Sequence, residues 1–267
     1  MRRNKPPVRF TGQHFTIDKS LIADAIELAE IKESHLVLDI GAGKGFLTLD
    51  LASRHPHIIA IENDLTLVRI LRRRFSRDPH VKIIGTDFRN YAIPQTSFKV
   101  VSNIPFGITA HILKALMFDN VEYFMGGSLI MQLEPARKLI ANQALNPYKV
   151  FYRTFFDLTL MYEVMPQSFM PPPTVKSALL KIGRKRLVVD REMKGKYLDF
   201  LFLMLQKPRL PVRTSLKRLF RKTQVREISD RYGINPAHPV VGLSPGQWWR
   251  CFLEMLETVP ERFHPGR

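Results

Sequence analysis

The stretch from residue 36 to residue 51 constrains the fold of this 267-residue chain more than any other. Residues 36–38 are an apolar run, typical of a strand buried on both faces of a parallel sheet. Glycines at positions 41, 43 and 45 follow, and apolar residues then recur at helical spacing from Phe46. Glycine allows positive φ and a close approach to a ligand, and N–H groups at a helix start face that ligand. The pattern predicts the first unit of a nucleotide-binding α/β domain.

The glycine spacing narrows the class of ligand. A phosphate loop ends in Gly-Lys-Ser/Thr, whereas Lys44 is followed by Gly45 and Phe46. A dinucleotide fingerprint is Gly-x-Gly-x-x-Gly, and here the third glycine comes one residue early. With Asp39 in front, the stretch suits a ligand that has an adenosine and an amino-acid arm but no pyrophosphate. That ligand is S-adenosylmethionine, and a purely structural glycine turn is the alternative.

The order of the other apolar runs predicts a Rossmann-like α/β fold with a doubly wound, mainly parallel sheet and antiparallel strands at its end. We divide the chain into a basic N-terminal arm (1–12), a cofactor-binding catalytic domain (13–183) and a small helical, basic domain (184–267). Predicted strands cover residues 36–40, 58–61, 81–84, 99–102, 127–132, 155–164 and 177–183. Predicted helices of the last domain cover 197–205, 212–221, 225–232 and 245–256.

The charge of the chain points to a polyanionic partner. The formal net charge is +17, from 41 Lys or Arg and 24 Asp or Glu. From residue 184 onward, 18 basic residues face 8 acidic ones. Each cation that neutralises a phosphate releases a counterion, which favours nucleic acid as the partner over a merely solvated basic surface.

Several classes of site and location are disfavoured by the composition. Cys251 is the only cysteine, so no disulfide within the chain and no cysteine-based zinc site is expected, and the histidines show no metal spacing. We find no apolar leader and no stretch as long as a membrane span. The sequence predicts a soluble, cytoplasmic protein without a metal, and a monomer is the simplest assumption.

Acidic residues follow the next two strands. Glu62 ends the second strand, 22 positions after Ile40, where a carboxylate can accept hydrogen bonds from ribose hydroxyls. Asp87 ends the third strand beside Phe88, and there it can accept from an adenine amine while the ring covers the base. Because all these strand ends lie on the carboxyl edge of the sheet, we expect one ligand site there.

Asn103, Ile104, Pro105 and Phe106 follow the fourth strand and predict the chemistry. The lone pair of an exocyclic base amine is delocalised into the ring and must become tetrahedral before it attacks a methyl group. The Asn103 side-chain oxygen and the Ile104 carbonyl can hold the two N–H bonds and direct that lone pair. Pro105 fixes the turn without a competing N–H, and Phe106 offers a ring on which a flipped base can stack. Positioning is then most of the catalysis.

The chain resembles the Erm family, 23S rRNA adenine N6-methyltransferases that confer macrolide–lincosamide–streptogramin B resistance and are related to the small-subunit rRNA adenine dimethyltransferases. The similarity spans nearly the whole chain. Its motifs are Gln13-His14-Phe15, Asp39-Ile40-Gly41-Ala42-Gly43-Lys44-Gly45, Glu62-Asn63-Asp64, Asp87-Phe88, Asn103-Ile104-Pro105-Phe106, Gln132-Leu133-Glu134 and Phe169-x-Pro171-Pro172-Pro173-x-Val175-Lys176-Ser177.

The resemblance implies roles for these residues. The amino-acid arm of the cofactor would lie near His14, Thr16, Gly41 and Gly43, with Glu62 on the ribose and Asp87 and Phe88 on the adenine. Asn103 would touch both the methyl donor and the target amine. Phe169 would cover the second face of the flipped adenine, a core aromatic being the alternative. The chain departs from the family at Phe106, where Tyr is usual, and at His14, where Asn is common.

Two basic stretches are the predicted RNA-binding residues: Arg2 and Arg3 of the arm, and Lys207, Arg209, Arg213, Lys217 and Arg221 of the last domain. Arg213, Lys217 and Arg221 recur every four residues and should share one helix face. A solvated helix face is the alternative for each of them.

The sequence therefore predicts an enzyme that methylates N6 of one adenine in 23S rRNA, with mono- or dimethyladenine as the product. A 16S rRNA adenine dimethyltransferase of ribosome biogenesis is the first alternative, although those relatives more often have Leu at the position of Ile104. A non-catalytic RNA-binding factor would not need the glycines, Glu62, Asp87 and Asn103. DNA adenine methylation uses a similar turn, but the helical domain argues for RNA.

Overall fold

A computed structural model describes residues 14–141 and 146–266 of the chain. Its centre is a seven-stranded sheet in the order β4-β3-β2-β5-β6-β9-β7. The strands are β2 (Leu36–Ile40), β3 (Ile58–Glu62), β4 (Val81–Gly85), β5 (Phe98–Asn103), β6 (Phe124–Gln132), β7 (Phe156–Val164) and β9 (Ser177–Arg184). The first five in chain order pair in parallel, and β9 pairs antiparallel with both β6 and β7. The predicted doubly wound sheet with antiparallel strands at its end is confirmed.

Helices lie on both faces of this sheet and follow it in the chain. They are α1 (Lys19–Leu28), α2 (Phe46–Ala52), α3 (Leu65–Arg74), α4 (Thr109–Lys114), α5 (Leu133–Ile140), α6 (Pro147–Phe155), α7 (Arg191–Met204), α8 (Val212–Leu216), α9 (Lys222–Arg231) and α10 (Pro245–Thr258). A single π-helical turn, Ala115–Asp119, extends α4. Helix α6 is absent from the sequence-based prediction, which begins a strand at residue 155.

Burial explains why the central strands form. Val37 and Leu38 are fully buried but belong to different apolar clusters, one on each face of the sheet. This is the two-sided burial that a continuous apolar run predicts. At the centre, Gly127 has φ +148°, and a Cβ there would lie 1.9 Å from the Val100 carbonyl oxygen. The pairing of β5 with β6 therefore requires glycine at that position.

A second, two-stranded sheet lies beside the main one. β1 (Phe15–Thr16) pairs antiparallel with β8 (Phe169–Met170), and the Ile17 N–H donates to the Ser168 carbonyl. The Asp18 carboxylate caps α1 through the N–H groups of Ser20 and Leu21, as predicted, and also accepts from the Ser168 hydroxyl. These contacts hold residues 14–18 against a segment about 150 positions later in the chain.

The C-terminal helices pack on the sheet through aromatic side chains. Tyr197 and Trp249 are buried, with ring centroids 5.0 Å apart, and both lie against Phe155 at the end of α6. They belong to the same apolar cluster as Leu38 and Ile40 of the sheet. Trp248 is buried in the same cluster. The division of the chain at residue 183 stays a prediction.

The predicted helix 212–221 is wrong in extent. Helix α8 ends at Leu216, and the N–H groups of Arg218 and Leu219 bond three residues back, which tightens the chain into turns. Arg221 instead precedes α9 with extended backbone, and its N–H donates to the Gln224 side chain. Arg213, Lys217 and Arg221 therefore do not share one helix face. The short polar residues of α8 favour turns over helix.

Two further observations concern the predicted location and the arm. Within the described parts of the chain, no helix is long and apolar enough to cross a membrane. The predicted basic arm, with Arg2 and Arg3, lies outside the described residues, as does Gln13.

Candidate active site

A cavity of about 320 Å³ opens at the carboxyl edge of the sheet, at the ends of β2, β3, β4 and β5. This is where open α/β sheets bind ligands. The structure brings nearly all the predicted site residues to its wall: His14, Thr16, Gly41, Gly43, Glu62, Asp87, Phe88, Asn103, Ile104, Pro105 and Phe106. Phe169 is the exception.

The glycine turn and the Asn103–Phe106 turn are in direct contact. Gly41 has φ +77°, and a Cβ on it would lie 2.7 Å from the Pro105 side chain. A Cβ on Gly43, at φ +58°, would lie 2.7 Å from the ring of Phe15. Both glycines are therefore required by backbone conformation and by close packing. Phe15, which the sequence-based site omits, forms part of the wall.

The Glu62 side chain is 4% exposed and organises the glycine turn. One carboxylate oxygen accepts from the Gly43 N–H at 2.8 Å, and the other accepts from the N–H groups of Asn63 and Asp64 at 2.9 Å each. A carboxylate offers about four acceptor sites, so these three bonds leave capacity for a ligand hydroxyl. The contact of Glu62 with ribose stays a prediction.

Asp39 is a functional residue that the predicted site list misses. Its side chain is 1% exposed, lines the cavity and accepts from the Thr48 hydroxyl of α2 at 2.7 Å. Burial, together with the nearby charge of Glu62, raises the pKa of this carboxyl to about 7. Asp39 therefore links the end of β2 to the helix after the glycine turn. Its place in front of the glycines was the available signal.

Asp87 is ionised and already paired. Arg89 Nη2 lies 2.6 Å from its carboxylate, and hydrogen bonds from Arg89 lower the pKa of Asp87 to about 2. Phe88 beside it is 5% exposed and meets the His111 ring edge-on. Arg89 also lines the cavity, and the sequence-based site does not include it. If an adenine amine donates to Asp87 as predicted, the carboxylate would accept hydrogen bonds from both that amine and Arg89.

Asn103 presents an unsatisfied acceptor at the cavity. Its side-chain Nδ2 donates to the His14 carbonyl at 2.7 Å, which determines the orientation of the amide. The opposite atom, Oδ1, is buried and has no hydrogen-bond partner among the described residues. A buried acceptor without a partner is unfavourable by about 1–3 kcal/mol. Asn103 lines the cavity, so a donor bound there is a candidate partner for this atom.

His14 connects this amide to the loop after β8. Its Nδ1 lies 2.8 Å from the Pro171 carbonyl oxygen, and its ring centroid is 6.1 Å from that of Phe106. A carbonyl oxygen only accepts, so Nδ1 carries the proton. Two-residue strands leave no periodic signal, so sequence reasoning could not place His14 against Asn103.

Phe169 does not reach the cavity wall. Its side chain is 1% exposed and lies in the apolar cluster with Leu21, Ile22 and Val164. Its backbone pairs with Thr16 across the small sheet, which directs the ring into the core. The predicted stacking of Phe169 on the flipped base is not supported by this arrangement, and the alternative of a core aromatic fits it.

The residues present fit the predicted cofactor. Thr16 Oγ1 and Asn103 Oδ1 are both buried on this wall without a partner, and two of the glycines leave no room for a Cβ. Among the described residues, no group of three or more His, Cys, Asp and Glu could hold a metal ion. A glycine-lined cavity at strand ends, with polar and apolar residues on its wall, suits the class of S-adenosylmethionine-dependent methyltransferases.

The particular family follows from comparison with known proteins. The model of the family described as ribosomal RNA adenine dimethylase matches residues 8–257, and the chain belongs to this family. An rRNA adenine N-6-methyltransferase of Bacteroides fragilis is 58% identical over the full length of both chains. A ribosomal RNA small subunit methyltransferase A of Persephonella marina is 30% identical and covers 94% of each chain.

A solved structure supports the assignment. The crystal structure of the 23S rRNA methyltransferase ErmE superposes with a TM-score of 0.77 at 27% identity, over 91% of this chain and all of that one. The protein is therefore an rRNA adenine N6-methyltransferase that uses S-adenosylmethionine.

Proposed function

We propose that this enzyme methylates N6 of one adenine in 23S rRNA and thereby confers resistance to macrolide, lincosamide and streptogramin B antibiotics. The observation that carries the chemistry is the buried, unpartnered Oδ1 of Asn103. One observation favours the large-subunit branch: the similarity to the 23S rRNA methyltransferase ErmE extends over the whole of that chain.

The chain supplies orientation to the target amine. Bound S-adenosylmethionine carries an electrophilic methyl group on its sulfonium. Asn103 Oδ1 accepts one N–H of the amine, and the Ile104 carbonyl accepts the other, so the lone pair points at the methyl group. The amide cannot rotate away, because its Nδ2 is held by the His14 carbonyl. Such pre-organised acceptors need no rearrangement during the reaction.

The rest of the wall holds the flipped base and excludes water. Phe106 offers a face for the adenine, and the His14 ring beside it is tilted by 32°. Ile104 is 1% exposed and packs in the apolar core beneath the Asn103–Phe106 turn. Because Phe169 is buried in the core, we assign the second face of the adenine to another side chain of the cavity wall, whose aromatic residues besides Phe106 are His14, Phe15, Phe46 and Phe88.

The wider assignments belong to the same proposal. Residues 184–267 form the RNA-binding domain, with Lys207, Arg209, Arg213, Lys217 and Arg221 as phosphate contacts, helped by Arg2 and Arg3. These five are among the 18 basic residues of the last domain, which has only 8 acidic ones. Such an excess of positive charge suits a polyphosphate partner. The enzyme acts as a monomer in the cytoplasm, where ribosomes are assembled.

Methyl transfer to purified rRNA tests the proposal. The chain is incubated with tritiated S-adenosylmethionine and either 23S or 16S rRNA, and the modified base is mapped by primer extension. We expect one strong stop in 23S rRNA, in the peptidyl-transferase region. Label confined to paired adenines near the 3′ end of 16S rRNA would reject the resistance function and assign the chain to ribosome biogenesis. Binding without label in either RNA would reject catalysis.

A further inference from the structure

Helix α3 and the turn after it carry a concentration of arginine that the catalytic site does not use. Residues 65–77 contain Arg69, Arg72, Arg73, Arg74 and Arg77 and no acidic residue. We call these five residues the α3 arginine surface. All five are exposed, and Arg69, Arg72, Arg73 and Arg77 form no ion pair or hydrogen bond with the residues that the structure describes. Unpaired like charges in one turn repel each other unless a partner neutralises them.

The geometry of α3 directs this charge outward. Leu67, Val68 and Leu71 bury one face of the helix against β3 and β4. Arg69 and Arg73 are four residues apart and therefore share the opposite face. That face also exposes apolar atoms, since Leu65 and Ile70 are 68% and 41% exposed. A cationic helix face with accessible aliphatic groups suits the phosphates and sugars of a nucleic acid.

The α3 arginine surface adjoins the catalytic cavity. Arg74 Nη1 donates to the carbonyl of Lys44 in the glycine turn at 2.7 Å, and its guanidinium lies over the Phe46 ring. Arg72 Nη2 comes within 3.7 Å of the Cβ position of Gly85, two residues before Asp87. Lys44, Phe46 and Asp87 all line the cavity. Arg74 thus contacts the glycine turn, whereas Arg72 lies beside the end of β4 and does not line the cavity.

The distance from the target position suits a long substrate. In the sheet order β4-β3-β2-β5, Asn103 on β5 is separated from β3 and β4 by two and three strand spacings. At about 4.8 Å per spacing, helix α3, which connects β3 to β4, is displaced laterally by roughly 10–14 Å from Asn103, and its last residues lead away from the cavity towards the start of β4. That span corresponds to roughly four nucleotides at 3.4 Å per nucleotide of one strand. An RNA whose adenine enters the cavity can therefore reach these arginines with its flanking nucleotides.

We propose that the α3 arginine surface binds backbone phosphates of the rRNA substrate beside the target adenine, as a contact area separate from residues 207–221. It rests on rRNA being the substrate and not on the choice between 23S and 16S. The contact is to phosphate, so it contributes affinity and orientation and not base recognition. It also gives a role to cations outside the helical domain, since residues 1–183, the arm and the catalytic domain together, carry seven of the 17 positive charges in excess.

The test compares two triple variants with the same change in charge. The first is Arg69→Gln, Arg72→Gln and Arg73→Gln, because Gln is also a good helix former. The control is Lys32→Gln, Arg54→Gln and Lys82→Gln, three exposed cations that precede or begin β2, β3 and β4 and so lie at the edge opposite the cavity. Filter binding is measured between about 50 and 200 mM salt, with an unmodified rRNA fragment that contains the target adenine.

We expect the α3 triple to weaken RNA binding at least tenfold at 150 mM salt and to lower the slope of log K against log salt by about 2–3, at roughly 0.9 per phosphate contact. The control triple should change the slope by less than 1. Affinity for S-adenosylmethionine, measured by calorimetry, should stay within twofold in both variants. Turnover at saturating RNA should also be retained, since none of the three arginines lines the cavity.

Equal slopes in the two triples would overturn the proposal, because the effect would then be one of net charge alone. If the α3 triple fails to bind S-adenosylmethionine or shows no cooperative thermal unfolding transition, the comparison is repeated with the single variants Arg73→Glu and Lys82→Glu, which change one residue each. The proposal again fails if both weaken RNA binding equally. A wild-type enzyme that binds rRNA but methylates neither subunit's RNA would refute the proposed function and leave this binding comparison intact.

Discussion

Replacing Asn103 by Ala separates the chemistry of the site from its binding. The substitution removes Oδ1, the buried acceptor without a partner, and Nδ2, which donates to the His14 carbonyl at 2.7 Å. The proposed mechanism uses Oδ1 for the amine only when a substrate base is present. Binding of the rRNA should therefore change little, and the rate of methyl transfer should fall strongly.

The size of the effect follows from the kind of interaction lost. Removing one pre-organised group that acts on the transition state in a water-excluded site raises the barrier by about 3–4 kcal/mol. At 1.36 kcal/mol per factor of ten, this predicts a decrease of roughly 10²–10³ in kcat. The same substitution removes a buried acceptor that has no partner, which stabilises the folded protein, and also removes the hydrogen bond to the His14 carbonyl. The free energy of unfolding should therefore be unchanged or should increase by about 1 kcal/mol.

Single-turnover transfer of a tritiated methyl group, with enzyme in excess over rRNA, measures the chemical step. Asn90→Ala is the matched control, because Asn90 is exposed and does not line the cavity. RNA and cofactor affinities are measured in parallel. A rate within threefold of wild type for Asn103→Ala would refute the proposed amine geometry, whatever the effect on binding.

Three further predictions test other parts of the structure. His14→Asn should retain most of kcat, because the Nδ2 of the new asparagine can replace the His14 Nδ1 as donor to the Pro171 carbonyl. His14→Leu has no such donor, and its kcat should be about tenfold lower. Equal kcat values in the two variants would contradict this. The pKa of Asp39 is raised to about 7, so the folded state keeps a proton on this carboxyl at pH values where the unfolded state has lost it. The folded protein is therefore destabilised as pH rises towards the folded pKa. In urea titrations, the unfolding free energy of wild type relative to Asp39→Asn should fall by about 3 kcal/mol between pH 5 and pH 8. A pH-independent difference would mean that Asp39 is ionised throughout. Gly127→Ala, which places a Cβ 1.9 Å from a carbonyl oxygen, should lower the unfolding free energy by at least about 3 kcal/mol, while Gly195→Ala, which has nothing within 4 Å, should not lower the thermal midpoint.

The sequence predicts the catalytic edge of the sheet because the information there is local. Each parallel strand ends where its apolar run ends, and the polar residue that follows must lie at the carboxyl edge. Glu62, Asp87 and Asn103 follow three strands in this way, and the structure places all three on one cavity.

The orientation of the catalytic amide could not be predicted, because it depends on contacts between distant segments. Asn103 is oriented by the His14 carbonyl, 89 positions earlier, and His14 is held by Pro171, 157 positions later. The burial of Phe169 has the same cause, since β1 and β8 are two residues long and show no alternation of polar and apolar side chains. Helical spacing likewise overestimated α8, where the short polar residues Thr214 and Ser215 favour turns.

The choice between large- and small-subunit rRNA must be made outside the cavity. Orienting an adenine N6 for methyl transfer requires the same acceptors and the same stacking face whichever RNA supplies the base. The chain is similar over nearly its whole length to enzymes named for different rRNA substrates. Specificity in such a case comes from surfaces that bind the nucleotides around the target, because only those differ in sequence and shape between the two RNAs. The cavity wall contains none of residues 184–267, and exchanging this helical part with that of a small-subunit relative should shift the rRNA preference without altering the rate at a bound adenine. A hybrid that loses kcat on both RNAs would show instead that substrate choice and chemistry are built into the same residues.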